Sequence, residues 1–321
     1  VTQPTAHTPA EKTLVIALGG NAIARDGDDG SIEAQYARAG AATRAIASLA
    51  TSGYRVVLTH GNGPVVGNIV MRGELARREI PPMPLFIADA DSQGGIGLML
   101  QQVLGNRLRE LGSAIMPVSV VTQVVVDPDD PAFSDPTKPI GMHYSLDDAT
   151  ELERRHGWRF AEEPGRGWRR LVPSPRPLRV VESDAIRALL AAGMIPIAAG
   201  GGGVPVVESE SGLRGVDAVI DKDWASAMLA DQIGADMLIV LMEADAVYEG
   251  WGTARQRRIP QLTATEARGL LGEGGLSRGS IAPKIEAAAW SAQRGRPTLI
   301  CRYEDLSLAL EGQAGTMVVA G

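Results

Sequence analysis

Apolar residues in this chain alternate between two textures. "TLVIAL" (13–18) is a continuous apolar run, too short for a helix, that stops at Gly19-Gly20. It reads as a strand buried on both faces. "IEAQYARAGAATRAIASLA" (32–50) instead sets Ile32, Tyr36, Ala39, Thr43, Ile46 and Leu49 three to four residues apart, along one helix face. "YRVVLTH" is the next strand and ends at "GNGP". Helices are expected over 64–79 and 92–111, and the β-branched run "AIMPVSVVTQVVV" (114–126) reads as a third strand. Further along come a helix near 183–192, the strand "MIPIAA", the short strand "VPVV", a helix starting near Asp221 and the strand "ADMLIVL". A charged loop at 249–260, helices near 264–270 and 283–294, the strand "PTLI", a short helix and "GTMVVAG" close the chain. Strands separated by helices predict an α/β fold, with a mostly parallel sheet covered on both faces. Right-handed crossovers then bring the strand-end loops to one edge, where such sheets bind ligands.

The rhythm breaks between Asp127 and about Leu178. "DPDDPAFSDPTKPIG" and "PGRGWRRLVPSPRPLR" are dense in proline and turn residues. Tyr144, Trp158 and Trp168 lie in this stretch, and disordered segments are poor in aromatics. The stretch is therefore read as a small protruding subdomain rather than a disordered loop. The first dozen residues are polar, without an apolar signal core, and read as a flexible tail ahead of a domain over 13–321.

Composition narrows the function classes. Hydrophobic residues make up 45% of the 321, but only 4% are aromatic, so the core must be aliphatic. A net charge of −7 argues against nucleic acid or an anionic membrane as partner. No apolar run approaches the roughly 18 residues of a membrane span. The one cysteine, Cys301, excludes an intramolecular disulfide and suits the reducing cytoplasm. Four scattered histidines offer no zinc-ligand spacing.

The candidate chemistry lies in glycines and lysines. Three strands end in glycine-rich turns: "ALGGNA" (17–22), "THGNGP" (59–64) and "AAGGGG" (198–203). Glycine lets backbone N–H groups approach a phosphate, and a following helix adds its positive end. One such turn can serve packing alone; three at strand ends are harder to explain that way. Neither the G-x-x-x-x-G-K-[ST] loop nor the G-x-G-x-x-G order after the first strand is present. Asn21 and Asn62 each follow a glycine, and either donate amide hydrogen bonds to an anion or tolerate a left-handed turn.

Only four of the 31 basic residues are lysines: Lys12, Lys138, Lys222 and Lys284. Lys12 lies in the tail. Lys138 sits in the excursion. Lys222 stands between Asp221 and Asp223 at a helix start, and Lys284 follows Pro283 in another first turn. A cation there opposes the helix dipole unless an anion joins it. Lysine is a compact charge on a flexible stem and can follow a moving phosphoryl group. Phosphoryl transfer asks for positioning and charge neutralisation above all.

These stretches together resemble the carbamate kinase branch of the amino-acid-kinase family, over about 13–319. The carriers are "VIALGGNAI", "THGNGPVVGN", "SQGGIGLMLQQ", "VTQVVVDPDDPAFSDPTKPIG", "RRLVPSPRP", "IPIAAGGGGVPV", "GVDAVIDKDWASAMLA" and "GSIAPKIEAA". The lysine-bearing "DPAFSDPTKPIG" marks that branch, as does Ala17 where other branches carry a lysine. The resemblance implies a three-layer α-β-α sandwich with a protruding subdomain, and a cytoplasmic homodimer. It implies reversible phosphoryl transfer between ATP and carbamate, with magnesium carried on the nucleotide, in the breakdown of arginine- or ureido-derived carbamoyl groups. By the same resemblance Lys138 reaches the carbamoyl end, Lys222 and Lys284 neutralise the transferring group, and Asp223 orients them. Gly19, Gly20, Asn21, Gly61, Asn62 and Gly63, with Gly201 and Gly202, hold substrate and phosphate. Glu243, Ala244, Tyr248, Ser280 and Pro283 border the nucleotide.

Some positions depart from that pattern. Asp89 and Asp91 stand where small or sulfur-containing residues are expected, and carboxylates there would repel a small anion. Met242-Glu243 replaces a threonine and an aspartate or asparagine. Ala282 replaces a glycine, and Val65 or Val66 a glutamine. The departures raise a kinase with a different small-acid or carbamoyl-like acceptor as the alternative. A non-catalytic nucleotide-binding regulator is a third reading, disfavoured by the retained lysines.

Overall fold

The computed structural model describes residues 12–23, 31–253, 255–272 and 281–321. Residues 1–11 of the expected tail and Ser280 lie outside them, as does the side chain of Asn21. Eight strands form the central sheet, in the order 261–263, 316–319, 298–302, 237–242, 13–18, 55–60, 195–197 and 117–119. Six of its seven pairings are parallel; only Thr298–Arg302 with Thr316–Val319 is antiparallel.

Period-two alternation explains why the apolar runs are continuous. Leu14, Ile16 and Leu18 point to one face, where they meet Ile46 of the helix Ile32–Thr51 and Leu100 and Leu104 of the helix Leu85–Glu110. Val15 points to the other face, into a core shared with the helices Ser183–Ala191, Lys222–Ile233 and Ala282–Gln293. Both faces are covered, so each central strand must be apolar at every position. The result is the three-layer sandwich. Cys301 is buried in it, and burial, with Asp305 nearby, pushes its thiol up to about 12.

Three expectations need correction. "AIMPVSVVTQVVV" is two strands in two sheets: Pro117–Ser119 joins the central sheet, and Gln123–Val126 a four-stranded sheet with 177–180, 204–209 and 212–215. The chain bends between them because Gln93 holds Thr122 with two bonds, Thr122 N–H to Oε1 at 2.8 Å and Nε2 to the Thr122 carbonyl at 3.1 Å. The helix expected from 92 begins at Leu85. Its first N–H groups are capped by Asp217 from across the fold (Leu85 at 2.9 Å), so no local capping residue marks the start. The charged loop at 249–260 includes the antiparallel pair Val247–Glu249 and Arg257–Ile259, and leads into the edge strand Gln261–Thr263.

Within 127–178 the strands Lys138–Tyr144, Gly167–Val172 and Arg159–Glu163 form an antiparallel sheet beside the helix Leu146–His156. Arg170 lies 3.6 Å over the Trp158 ring, and Tyr144 meets Phe160 edge-on. The helix Gly63–Ala76 docks directly on the first of these strands. A Cβ at Gly67 would lie 2.0 Å from Gly141 Cα, so backbone meets backbone there. That contact places Lys138, at the strand's start, beside the central sheet.

Candidate active site

The three glycine turns meet at the C-terminal ends of their strands. A Cβ on Gly61 would stand 3.0 Å from the Gly20 nitrogen and 3.5 Å from Lys222 Cδ. A Cβ on Gly201 would stand 2.3 Å from Asn62 Nδ2, and one on Gly202 2.2 Å from the Ile220 carbonyl. Gly201 and Gly202 also have φ of +67° and +101°, so no other residue fits either place. Gly19 lies against the Leu241 carbonyl, whereas Gly63 has open space and opens the helix Gly63–Ala76.

The helix Lys222–Ile233 starts at this junction. Asp221 is its N-cap and accepts the Asp223 N–H at 2.9 Å. Lys222 Nζ lies 2.5 Å from Asp223 Oδ1, and Lys284 Nζ 3.1 Å from Asp223 Oδ2. Lys138 Nζ reaches Asp221 Oδ2 at 3.0 Å from the subdomain. The three lysines thus come from two helices and a strand onto two aspartates two residues apart. Three cations against two carboxylates leave one positive charge, and the helix start adds to it.

Side-chain exposures of 10% for Lys222 and 15% for Lys284 admit a ligand but little water, so charges act strongly here. Burial pushes Asp221 up, yet Lys138, then Lys222 and Lys284, hold it below the usual carboxylate range. Lys222 is lowered, by burial first and by Lys284 second, against the pull of Asp223. Lys284 is raised despite burial, because Asp223 and Asp221 outweigh it. The two lysines share Asp223 and still move oppositely, since Lys222 is the more enclosed.

A supporting layer escaped the sequence reading. Ser92 and Gln93 are adjacent on the helix Leu85–Glu110: Ser92 accepts from Asn62, and Gln93 fixes the Thr122 bend. Thr122 Oγ1 in turn accepts the Ala199 N–H at 3.0 Å, just ahead of the glycine turn. Thr59 and Ser226 join at 2.6 Å and tie the second strand to the lysine helix. The signal was the polar pair Ser92-Gln93 inside a run with a buried face. His60 is buried beside this layer; burial, more than the nearby Lys222, lowers its pKa to about 4, against the bond to the Gly61 carbonyl. Of the two unexpected carboxylates, Asp91 is exposed, while Asp89 is buried against Asn62 at 3.0 Å. Val66 packs with Ile140 and Val172, in the core under the subdomain.

On the far side of the first strand, the strand Met237–Met242 ends at Glu243, which is exposed, and Ala244, which is half-buried. Tyr248 Oη donates to Asp245 (3.0 Å to Oδ2), and its ring stands 5.3 Å from that of Trp251, which is 55% exposed. Pro283 and Lys284 are the second and third residues of the helix Ala282–Gln293. Asp245 and Trp251 were not singled out from sequence. The lysine cluster beside the glycine turns is a net-cationic site suited to charge-neutralising transfer between two anions.

Residues 12–302 match the model of the amino acid kinase family. The carbamate kinase of Pyrococcus furiosus is 41% identical over 314 residues, 96% of this chain and 99% of that protein. The carbamate kinase-like protein YahI of Escherichia coli is 42% identical over 314 residues, again 96% and 99%. Among solved structures, carbamate kinase from Giardia lamblia bound to AMP-PNP superposes with a TM-score of 0.90 at 36% identity, covering 97% of this chain and 99% of that one.

Proposed function

Since the chain belongs to the amino acid kinase family, we propose that it is a carbamate kinase, moving a phosphoryl group reversibly between ATP and carbamate. Carbamoyl phosphate and ADP give ATP and carbamate, which breaks down to ammonia and carbon dioxide. The observation that carries this reading is the bridged lysine cluster at the meeting of the glycine turns, in a chain 41% identical to a carbamate kinase along nearly its whole length.

In the direction of ATP formation a β-phosphate oxygen of ADP attacks phosphorus. The bond from phosphorus to the carbamoyl oxygen breaks, and its electron pair leaves with carbamate. Lys222 and Lys284 neutralise the phosphoryl oxygens, and Lys138 takes the carbamoyl end. Asp221 and Asp223 hold all three ammonium groups before substrate arrives, so little reorganisation is left for the reaction. The glycine turns line the acceptor side. The 243–248 segment and Pro283 border the nucleotide, where Tyr248 and Trp251 offer ring faces to a base. Both oxygens of Asp223 are engaged by lysines, so this carboxylate is not free to hold magnesium, which would be carried by the nucleotide phosphates and would there neutralise charge. A homodimer in the cytoplasm, acting in the breakdown of arginine- or ureido-derived carbamoyl groups, belongs to the same reading.

The test is ATP formation from carbamoyl phosphate and MgADP by the purified protein. Folded protein that forms no ATP overturns the proposal. The reading with a different acceptor loses Asp91, which is exposed, and keeps Asp89 and the Met242-Glu243 change in its favour. Turnover of another small acid above that of carbamate would establish it.

A further inference from the structure

The side chain of Asn62 is gripped from one side by the helix Leu85–Glu110. Its Nδ2 donates to Asp89 Oδ1 and to Ser92 Oγ, both at 3.0 Å. The sense of this amide is fixed by Ser92. The Ser92 hydroxyl donates its one hydrogen to the Asp89 carbonyl at 2.7 Å, so towards Asn62 it can only accept. A flipped amide would set oxygen against oxygen. Both amide hydrogens are therefore committed to the helix, and the atom of this side chain left for a ligand is the acceptor Oδ1.

Asp89 does this from a buried position. It is 1% exposed, and its Oδ2 has no hydrogen-bond partner among the described residues. Burial raises its pKa well above the ordinary value, against the bond from Asn62 and the charge of Lys138. Asp89 is buried behind the Asn62 amide and is not presented to an anionic acceptor, so the conflict anticipated from sequence at this position loses its support. Asn62 itself lies against Gly201, and its neighbour Gly61 lies beside Gly20 and Lys222. Asn62 thus stands among the glycine turns, at the acceptor end.

We infer that Asp89 is a positioning residue: with Ser92 it turns the Asn62 amide so that the carbonyl oxygen accepts an N–H from the carbamoyl amino group. The inference rests on the carbamate reading above. It makes Asn62 the group that tells an amino-bearing acceptor from one of the same shape with a methyl in its place, because the methyl leaves an enclosed acceptor unpaired.

Acetyl phosphate differs from carbamoyl phosphate by that exchange, so the two are the probes. ATP formation from each, with MgADP, is measured for the wild type, Asp89→Ala and Asp89→Asn, beside thermal unfolding. Asp89→Ala is expected to lower the preference for carbamoyl phosphate, as the ratio of kcat/KM values, by about tenfold, through KM for carbamoyl phosphate and not for ADP. Asp89→Asn, whose amide oxygen accepts the same bond, is expected to restore most of it. An unchanged ratio in Asp89→Ala overturns the inference, as does an equal loss in Asp89→Asn. Should Asp89→Ala not fold, Ser92→Ala removes the other acceptor and is read by the same ratio. A wild type inactive on carbamoyl phosphate sinks the carbamate reading and this inference together. An active wild type with an unchanged ratio in the variants sinks the inference alone.

Discussion

Replacing Asp223 by asparagine removes one negative charge and almost no volume. The carboxylate is 2% exposed and lies 2.5 Å from Lys222 Nζ and 3.1 Å from Lys284 Nζ. In the variant two enclosed ammonium groups face each other across a neutral amide. Breaking a buried pair from one side costs about 3–5 kcal/mol, because the remaining charge stays unsolvated. The loss of a favourable helix-dipole contact adds only about 0.3–1 kcal/mol. A stability loss of about 3 kcal/mol corresponds to a fall in Tm of roughly 4–5 °C for a chain of this size. Lys222, already lowered, would yield its proton more easily, and both lysines would lose their fixed positions. Kinetic loss of the same size is about a hundredfold in kcat. KM for ADP is not expected to rise, since the pocket becomes more positive. Thermal unfolding and steady-state ATP formation from carbamoyl phosphate measure both. A folded variant with kcat within threefold of wild type, or with unchanged Tm, would refute the view that Asp223 holds the two lysines.

Three further outcomes are expected. Lys222→Arg keeps the charge but puts a planar fork beside Gly61 and Gly20; kcat should fall about tenfold or more, roughly 1.4 kcal/mol, and near-normal turnover would mean that charge alone matters. His60 has a folded pKa of about 4 against 6.5, so between those values the unfolded chain binds the proton and the folded one does not. Stability therefore falls as pH drops from 6.5 towards 4, by about 2–3 kcal/mol between pH 7 and 4.5; His60→Gln should flatten that limb in urea titrations, and equal slopes would contradict it. Tyr248→Ala removes one of the two ring faces beside the expected base and should raise KM for ADP about fivefold, more than it lowers kcat. An unaltered KM would move the nucleotide elsewhere.

How much of this was legible depended on whether each cause was local. The strand Thr13–Leu18 and the helix Ile32–Thr51 could be placed because burial on two faces, or on one stripe, writes its period into the sequence. The lysines stood out because arginine supplies nearly every other cation. By contrast, the start of the helix at Leu85 was hidden, because its cap, Asp217, comes from 132 residues away. The bend at Thr122 was hidden as well, since "SVVTQVVV" has β-branched residues on both sides and only Gln93 divides it. Asp89 was legible as an anomaly, but that it is buried against Asn62 was not, because sequence shows a carboxyl without its surroundings.

The sequence by itself determined the alternation of strands and helices outside the subdomain, the α/β class and the short roll of lysines and glycine turns, since these follow from periodicity, backbone freedom and residue chemistry. Tertiary structure alone decided that Lys138 meets Asp221, that Gly67 against Gly141 carries Lys138 to the sheet, and which way the Asn62 amide faces. Those are contacts between segments distant in the chain. Their energies depend on burial and on the direction of single hydrogen bonds, neither of which a local pattern records.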